Sequence, residues 1–327
     1  MFKTLIYLIL ALVITGCSLK KMEDRPPLWY TNPPKDTTFI YSTASSKTMQ
    51  SARNIAVLSI NRDLNTKVME LFKSSNSPLE IKNELEYKNL MQTSVKVVNS
   101  IVFHGIKTIN SAQFHSQQLI LISVSREMIF QEEKKKLDAI YEPLKKELET
   151  IDTLTPIEQY AVLKPVTSKL DEIAVLAALL QTVSTGYDAN EYFAFVNNTK
   201  EMIEKIDDST ALRVLGDFNS LRLVRYIEGG LSNESLLVNK TLEKKNSYNI
   251  FIMTTVDEKM DYQFYKTTLG VKTIVATKEK KIISEKMHTF IGKSRKSNND
   301  ARLQAESSVE KTIRSFGIFD FLGLNKK

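Results

Sequence analysis

Few side chains in this 327-residue chain are spaced to do chemistry. Cys17 is the only thiol. Histidine occurs at His104, His115 and His288, and none has the paired spacing of a helical metal site. A zinc centre would need at least one of these histidines together with carboxylates from distant segments, so we expect no metal site and no resident cofactor. Asp207 and Asp208 have the chemistry of paired carboxylates, but glycan cleavage needs two carboxyl groups flanking one bond. Neighbours in sequence point different ways, and Asp208-Ser209 after a helical stretch is ordinary turn chemistry. Ser45, Ser46 and Lys47 hold the elements of a Ser/Lys pair, yet a helix cap accounts for them without catalysis. Gly229-Gly230 lacks the strand, loop and helix context of a phosphate-binding loop and reads as a turn. No catalytic residue is assigned, and the chain is expected not to be an enzyme. The enzymatic alternative would require clustered polar residues in a deep pocket.

The context of Cys17 gives its thiol a specific use. Lys3 precedes an unbroken apolar run from Leu5 to Ile14, far shorter than the ~20 residues that a membrane-spanning helix needs. A positive start, a short apolar run and small residues before a cleavage point describe a secretory signal peptide. The run ends in Ile14-Thr15-Gly16-Cys17, which resembles the lipobox of bacterial lipoproteins. The resemblance implies cleavage between Gly16 and Cys17 and a covalent lipid on Cys17. The plain alternative makes Cys17 a small apolar residue of a membrane helix; its being the sole cysteine, at the required position, favours the lipid. Two or three acyl chains would hold the protein firmly, since each buried methylene contributes about 0.8 kcal/mol. Ser18 rather than aspartate after the cysteine suggests an outer-membrane destination, on the periplasmic face or the surface, in a Gram-negative host.

Composition fits a folded, exported chain. Apolar residues make up 42% and charged residues 25% of it, ordinary values for a globular protein. The net charge of +7 is dispersed, whereas nucleic-acid binding would want basic residues gathered on one face; no nucleic-acid partner is expected.

The elements that follow predict an α+β fold, with two small αβ domains joined by a helical connector. Residues 1–16 are the signal peptide and 17–37 the lipidated cysteine with a tether, in which Pro26, Pro27, Pro33 and Pro34 oppose regular structure. Residues 38–150 form the first αβ domain. There a strand at Phe39 to Ala44 leads through a cap-like Ser45 to Thr48 into a helix carrying Ala52, Ala56 and Ile60 at helical spacing. Residues 92–109 carry an ambiguous pattern, in which Val95, Val97, Val98, Ile101, Val102 and Ile106 are β-branched and strand-like. Gln118 to Val124, apolar throughout from Leu119 to Ile122, reads as a central strand covered on both faces. Residues 151–215 form the helical connector, with the preceding charged helix from Met128 to Leu148 leading into it. Residues 216–315 form the second αβ domain, with a short helix at 236–244, strands near 248–256, 262–278 and 282–291, and an amphipathic helix over 300–315. A weak internal echo links Ala52-Arg53 and Ala56 with Ala301-Arg302 and Ala305, each after a strand and a polar turn.

The stretch from Pro27 to about Leu148 resembles the LPP20 lipoprotein family of epsilonproteobacteria and vibrios. Trp29 before Asn32-Pro33-Pro34, Ile40-Tyr41 through Ser45-Ser46 before the Ala52/Ala56 helix, and a late strand leading into a charged helix carry the resemblance. The chain departs from the family where Ser42-Thr43-Ala44-Ser45 replaces the usual glycine. The resemblance implies a non-catalytic envelope component, with flagellar basal structures and outer-membrane antigens among its relatives. Expected partners are the membrane, through the lipid, and either further copies of the chain or envelope and flagellar proteins. The rival reading is a lipoprotein regulator reaching through the periplasm to a peptidoglycan synthase.

The tail, residues 316–327, is strongly apolar. Phe316, Ile318, Phe319, Phe321 and Leu322 are expected either to fold back on the second domain or to form an exposed docking strip for a partner.

Overall fold

The computed structural model describes residues 25–234, Leu236, Val238 and residues 244–325. Cys17, Gly16 and the rest of the expected signal segment lie outside the described residues, as does most of the helix expected over 236–244. The fold is α+β, with two sheets in two compact units. One unit holds residues up to Leu64 and residues 101–130; the other holds residues 65–100 and 131–327.

In the first unit, helix α1 (Leu28–Thr31) forms within the Pro-rich segment that was expected to stay irregular. Its N-cap is Pro27, where a missing N–H costs nothing because the first-turn N–H groups are unpaired anyway. Asp36 then sets the entry to strand β1 (Phe39–Ser46): its carboxylate accepts the Thr38 and Phe39 N–H groups at 2.8 and 2.6 Å and the Tyr41 hydroxyl at 3.0 Å. Helix α2 (Met49–Lys73) starts where the Thr48 hydroxyl accepts the Ser51 N–H at 3.2 Å. Ser45 and Ser46 belong to the strand rather than the cap. Ala52, Ala56 and Ile60 are fully buried along α2, and exposed Ile55 marks its other side. Strand β3 (Gln117–Ser125) lies between β1 and β2 (Lys107–Phe114) and pairs antiparallel with both. Leu119 to Val124 are buried, Ser123 included, so both faces of the strand are covered, which explains its consecutive apolar residues from Leu119 to Ile122.

In the second unit, the strand-like stretch proves helical up to Asn99. Residues 84–99 form helix α3 (Glu84–Asn99), not a strand, and the strand expected over 92–109 starts only at Lys107. Asn83 caps α3 by accepting the Glu86 N–H at 2.9 Å. Leu90, Ser94, Val97 and Val98 recur at helical spacing and are buried, so packing overrides the strand preference of the valines. Helices α4 (Arg126–Leu148), α5 (Pro156–Leu163), α6 (Thr167–Val183) and α7 (Asn190–Ser209) follow. Helix α6 is buried on nearly every side from Leu170 to Leu180. Lys200 on α7 reaches Glu86 on α3 at 2.6 Å and Asp171 on α6 at 3.0 Å, a nearly buried ion triad tying three helices together.

Strand β4 (Thr210–Gly216) was not foreseen. It pairs in parallel with β5 (Asn246–Asp261), across helix α8 (Leu221–Asn233). Antiparallel partners β6 (Phe264–Thr277) and β7 (Ile282–Ser294) complete a four-stranded sheet in chain order. Helix α9 (Asn298–Phe316) packs on β6 and β7, and α10 (Ile318–Phe321) follows it. Of the helix expected over 236–244, described Val238 instead makes an isolated parallel bridge to Leu212.

The division of the chain also differs from the expected domains. Residues 65–100 and 131–150 belong with the second unit, not with 38–64. The expected connector does not separate itself from the C-terminal domain, because Ile157, Tyr160, Leu163 and Ile206 share one apolar core with Leu212, Ile250, Val271 and Ile313. One core makes one cooperative unit.

Candidate docking surfaces

Strand alternation divides the β4–β7 sheet into two faces. Tyr248, Ile250 and Ile252 on β5, with Leu269, Val271 and Val275 on β6, are buried in the core beneath the helices. Gly292 on β7 lies under α9, where its missing Cβ lets the helix backbone descend: a Cβ there would meet the Ala301 carbonyl oxygen at 1.7 Å. Glycines at 229 and 230 sit within α8 and not in the expected turn. A Cβ at Gly230 would stand 3.1 Å from Ile313 and 3.3 Å from Ile318, so a side chain there would press on both at this close crossing. A groove of about 400 Å³ beside it is bordered by Arg225, Tyr226, Asn233 and Arg314.

The tail closes this side of the molecule. Gly317, with φ of 87°, ends α9, and Ile318, Phe319, Phe321 and Leu322 then enter the core, each less than 5% exposed. The Ser284 hydroxyl donates to the Leu322 and Gly323 carbonyls at 2.8 and 2.9 Å, and Lys286 donates to that of Asp320. His288 stacks on Phe321, ring centroids 4.2 Å apart, and its Nε2 donates to the Phe321 carbonyl at 2.8 Å. Burial depresses the pKa of His288, the Phe321 carbonyl opposes that shift, and the Lys286 charge adds to it. The docking role expected for Ile318, Phe319, Phe321 and Leu322 is therefore corrected: these side chains fill their own core, and the hydrogen bonds from β7 hold them there. Phe316 alone of the five is open, at 70% exposure.

The other chemical candidates do not converge. His104 lies in an exposed segment before β2, and His115 occupies the β2–β3 turn with φ of 52°. Among the described residues no three His, Cys, Asp or Glu side chains are grouped to hold a metal. Asp207 and Asp208 end α7; burial raises the pKa of Asp207, and its backbone carbonyl accepts the Lys244 ammonium at 3.1 Å. Asp217 is the better-built carboxylate: it accepts the Asn219 N–H at 3.1 Å and the Thr254 N–H and hydroxyl at 2.9 and 3.1 Å, joining the end of β4 to β5. Those bonds outweigh burial and lower its pKa. This is a structural clasp.

What remains open is the outer face of the sheet. Phe251 and Ile274 are half-buried there, while Met253, Met287 and Ile291 are 43%, 59% and 52% exposed. The sequence carries this signal as the apolar positions that alternate with the core-facing residues of β5 and β7.

No family model and no curated protein matches the chain. Among solved structures it is similar to the secreted protein HP1454 from the human pathogen Helicobacter pylori, at 12% identity and a TM-score of 0.34, covering 88% of this chain and 99% of that one. A minor lipoprotein from Acinetobacter baumannii is similar at 9% identity and a TM-score of 0.27, covering 33% of this chain and 93% of that one.

Proposed function

We propose that the protein is an exported envelope lipoprotein, anchored through a lipid on Cys17, that acts by binding and assembly rather than by catalysis. The carrying observation is Ile14-Thr15-Gly16-Cys17 at the end of a short apolar run, with no other cysteine in the chain. The open apolar sheet face supports a binding role, since such surfaces mark interaction sites. Ser18 supports an outer-membrane destination, and the resemblance of residues 27–148 adds flagellar basal structures to the candidate places of assembly. Membrane fractionation of cells expressing the full chain and its Cys17→Ala variant tests the reading. The parent should resist alkaline extraction from the membrane and the variant should be soluble or unprocessed; a variant anchored like the parent contradicts it.

A further inference from the structure

The last strand of the larger sheet has an edge with no neighbouring strand, and the side chains along it complement themselves. Strand β7 is hydrogen-bonded to β6 on one side only and ends the sheet order. On its other side, the Lys293 N–H donates to the Gln304 side chain at 3.4 Å. Backbone groups in a strand turn alternately to its two sides, so Glu285, Met287, Thr289 and Ile291 direct their N–H and C=O groups to the same free edge as Lys293. The same five residues form the exposed outer row of the strand.

We propose that this edge pairs antiparallel with β7 of a second copy, about a two-fold axis at Thr289, to make one continuous eight-stranded sheet. In that register Thr289 faces its own copy, Met287 faces Ile291, and Glu285 faces Lys293. Two exposed apolar side chains and two opposite charges thereby find partners on each side of the axis. Shifting the axis to Met287 or Ile291 keeps the backbone pairing but sets Thr289 against Glu285 or Lys293, so the charge pair fixes the register. Glu285 already holds Lys272 of its own chain at 2.7 Å and would take Lys293 of the second copy as a second cation. An isologous strand pairing of this kind is self-limiting, which also removes an edge that would otherwise template aggregation.

The helix beside the edge bonds it at Lys293, through the long Gln304 contact that pairing with the second copy would replace. Gln304, Ser308 and Thr312 follow one another along α9 on the side that reaches Lys293, and Thr312 borders a hollow with Lys286 and His288. These are short or flexible side chains, and the Ser308 and Thr312 hydroxyls are satisfied within the helix by the Gln304 and Ser308 carbonyls, both at 2.9 Å.

The inference names the partner within the assembly role proposed above and rests on that reading, yet it is tested separately. Purified full chain carrying Thr289→Cys, oxidised in solution, should give a covalent dimer, because directly opposed hydrogen-bonded residues lie about 5.5 Å apart between Cα atoms, within disulfide reach. The parent chain, which retains Cys17, and Thr255→Cys, on the same sheet face but two strands inward, should not. Lys293→Glu, which leaves the Lys272–Glu285 pair intact, should weaken the dimer roughly tenfold in sedimentation equilibrium. Adding Glu285→Lys to it should recover most of that loss. A monomer at every concentration, equal cross-linking by Thr289→Cys and Thr255→Cys, or a Lys293→Glu dimer of unchanged affinity would overturn the proposal. A chain that dimerises but is not membrane-anchored would refute the lipoprotein reading and leave this one standing.

Discussion

The carbonyl oxygen of Ala301 occupies the space that a side chain at Gly292 would need, 1.7 Å from the ideal Cβ position. Helix α9 therefore rests its backbone directly on β7, with Ala301 and Ala305 buried at the crossing. Gly292→Ala should force helix and strand apart and cost at least about 2 kcal/mol. Thermal unfolding should show a clearly lower Tm; an unchanged Tm would mean that α9 does not sit so close.

The paired glycines of α8 make opposite predictions. Nothing lies within 4 Å of a Cβ at Gly229, whereas one at Gly230 presses on Ile313 and Ile318. Gly229→Ala should stabilise the protein by about 0.5–1 kcal/mol, the usual gain in a helix interior. Gly230→Ala should give no such gain or should destabilise. Chemical denaturation of the two variants side by side reads the difference.

Removing the tail should cost stability. Phe321 is 1% exposed and packs on His288, and Phe321→Ala should destabilise by about 3–5 kcal/mol, as buried phenylalanines generally do. Truncation after Ser315 should be worse, giving a lower melting temperature or insoluble protein. Unchanged stability with a specific loss of binding would restore the docking role for the tail.

Acid should loosen the same region. Burial holds the pKa of His288 below that of an ordinary imidazole, so its contribution to stability is fully present above the unfolded pKa and is lost as pH falls through the folded value. Amide exchange of residues 318–324 should accelerate below the ordinary imidazole range, and less so in His288→Phe. Asp217 behaves likewise at lower pH: its hydrogen bonds hold its pKa below the ordinary aspartate value, so its clasp holds above that value and is lost on further acidification. Asp217→Asn should flatten the stability profile in that window.

Much of the fold was legible in the sequence where local pattern and burial agree. The run from Leu119 to Val124 announced a central strand because both of its faces are covered, and the Ala52/Ala56 and Ala301/Ala305 spacings announced close-packed helices. The pattern misled where composition opposed periodicity: Val95, Val97 and Val98 favour strand locally, but the spacing of Leu90, Ser94 and Val97 is helical and packing decided. Strand β4 was invisible because Asp208 and Ser209, which read as a turn, instead belong to α7 and pass straight into Thr210 at the start of the strand. The tail's fate depended on Ser284, Lys286 and His288, more than thirty residues away, and no local signal reports such partners. The open sheet face hid in plain alternation, since Met287 and Ile291 occupy the positions where a one-sided strand would carry polar residues.

The most direct test of the account is the intact mass of the protein recovered from bacterial membranes. A lipoprotein anchored as proposed would begin at Cys17 and carry the added mass of a diacylglyceryl group, with or without a further acyl chain. An unmodified chain that still begins at Met1, or one cleaved elsewhere with a free Cys17 thiol, would contradict it.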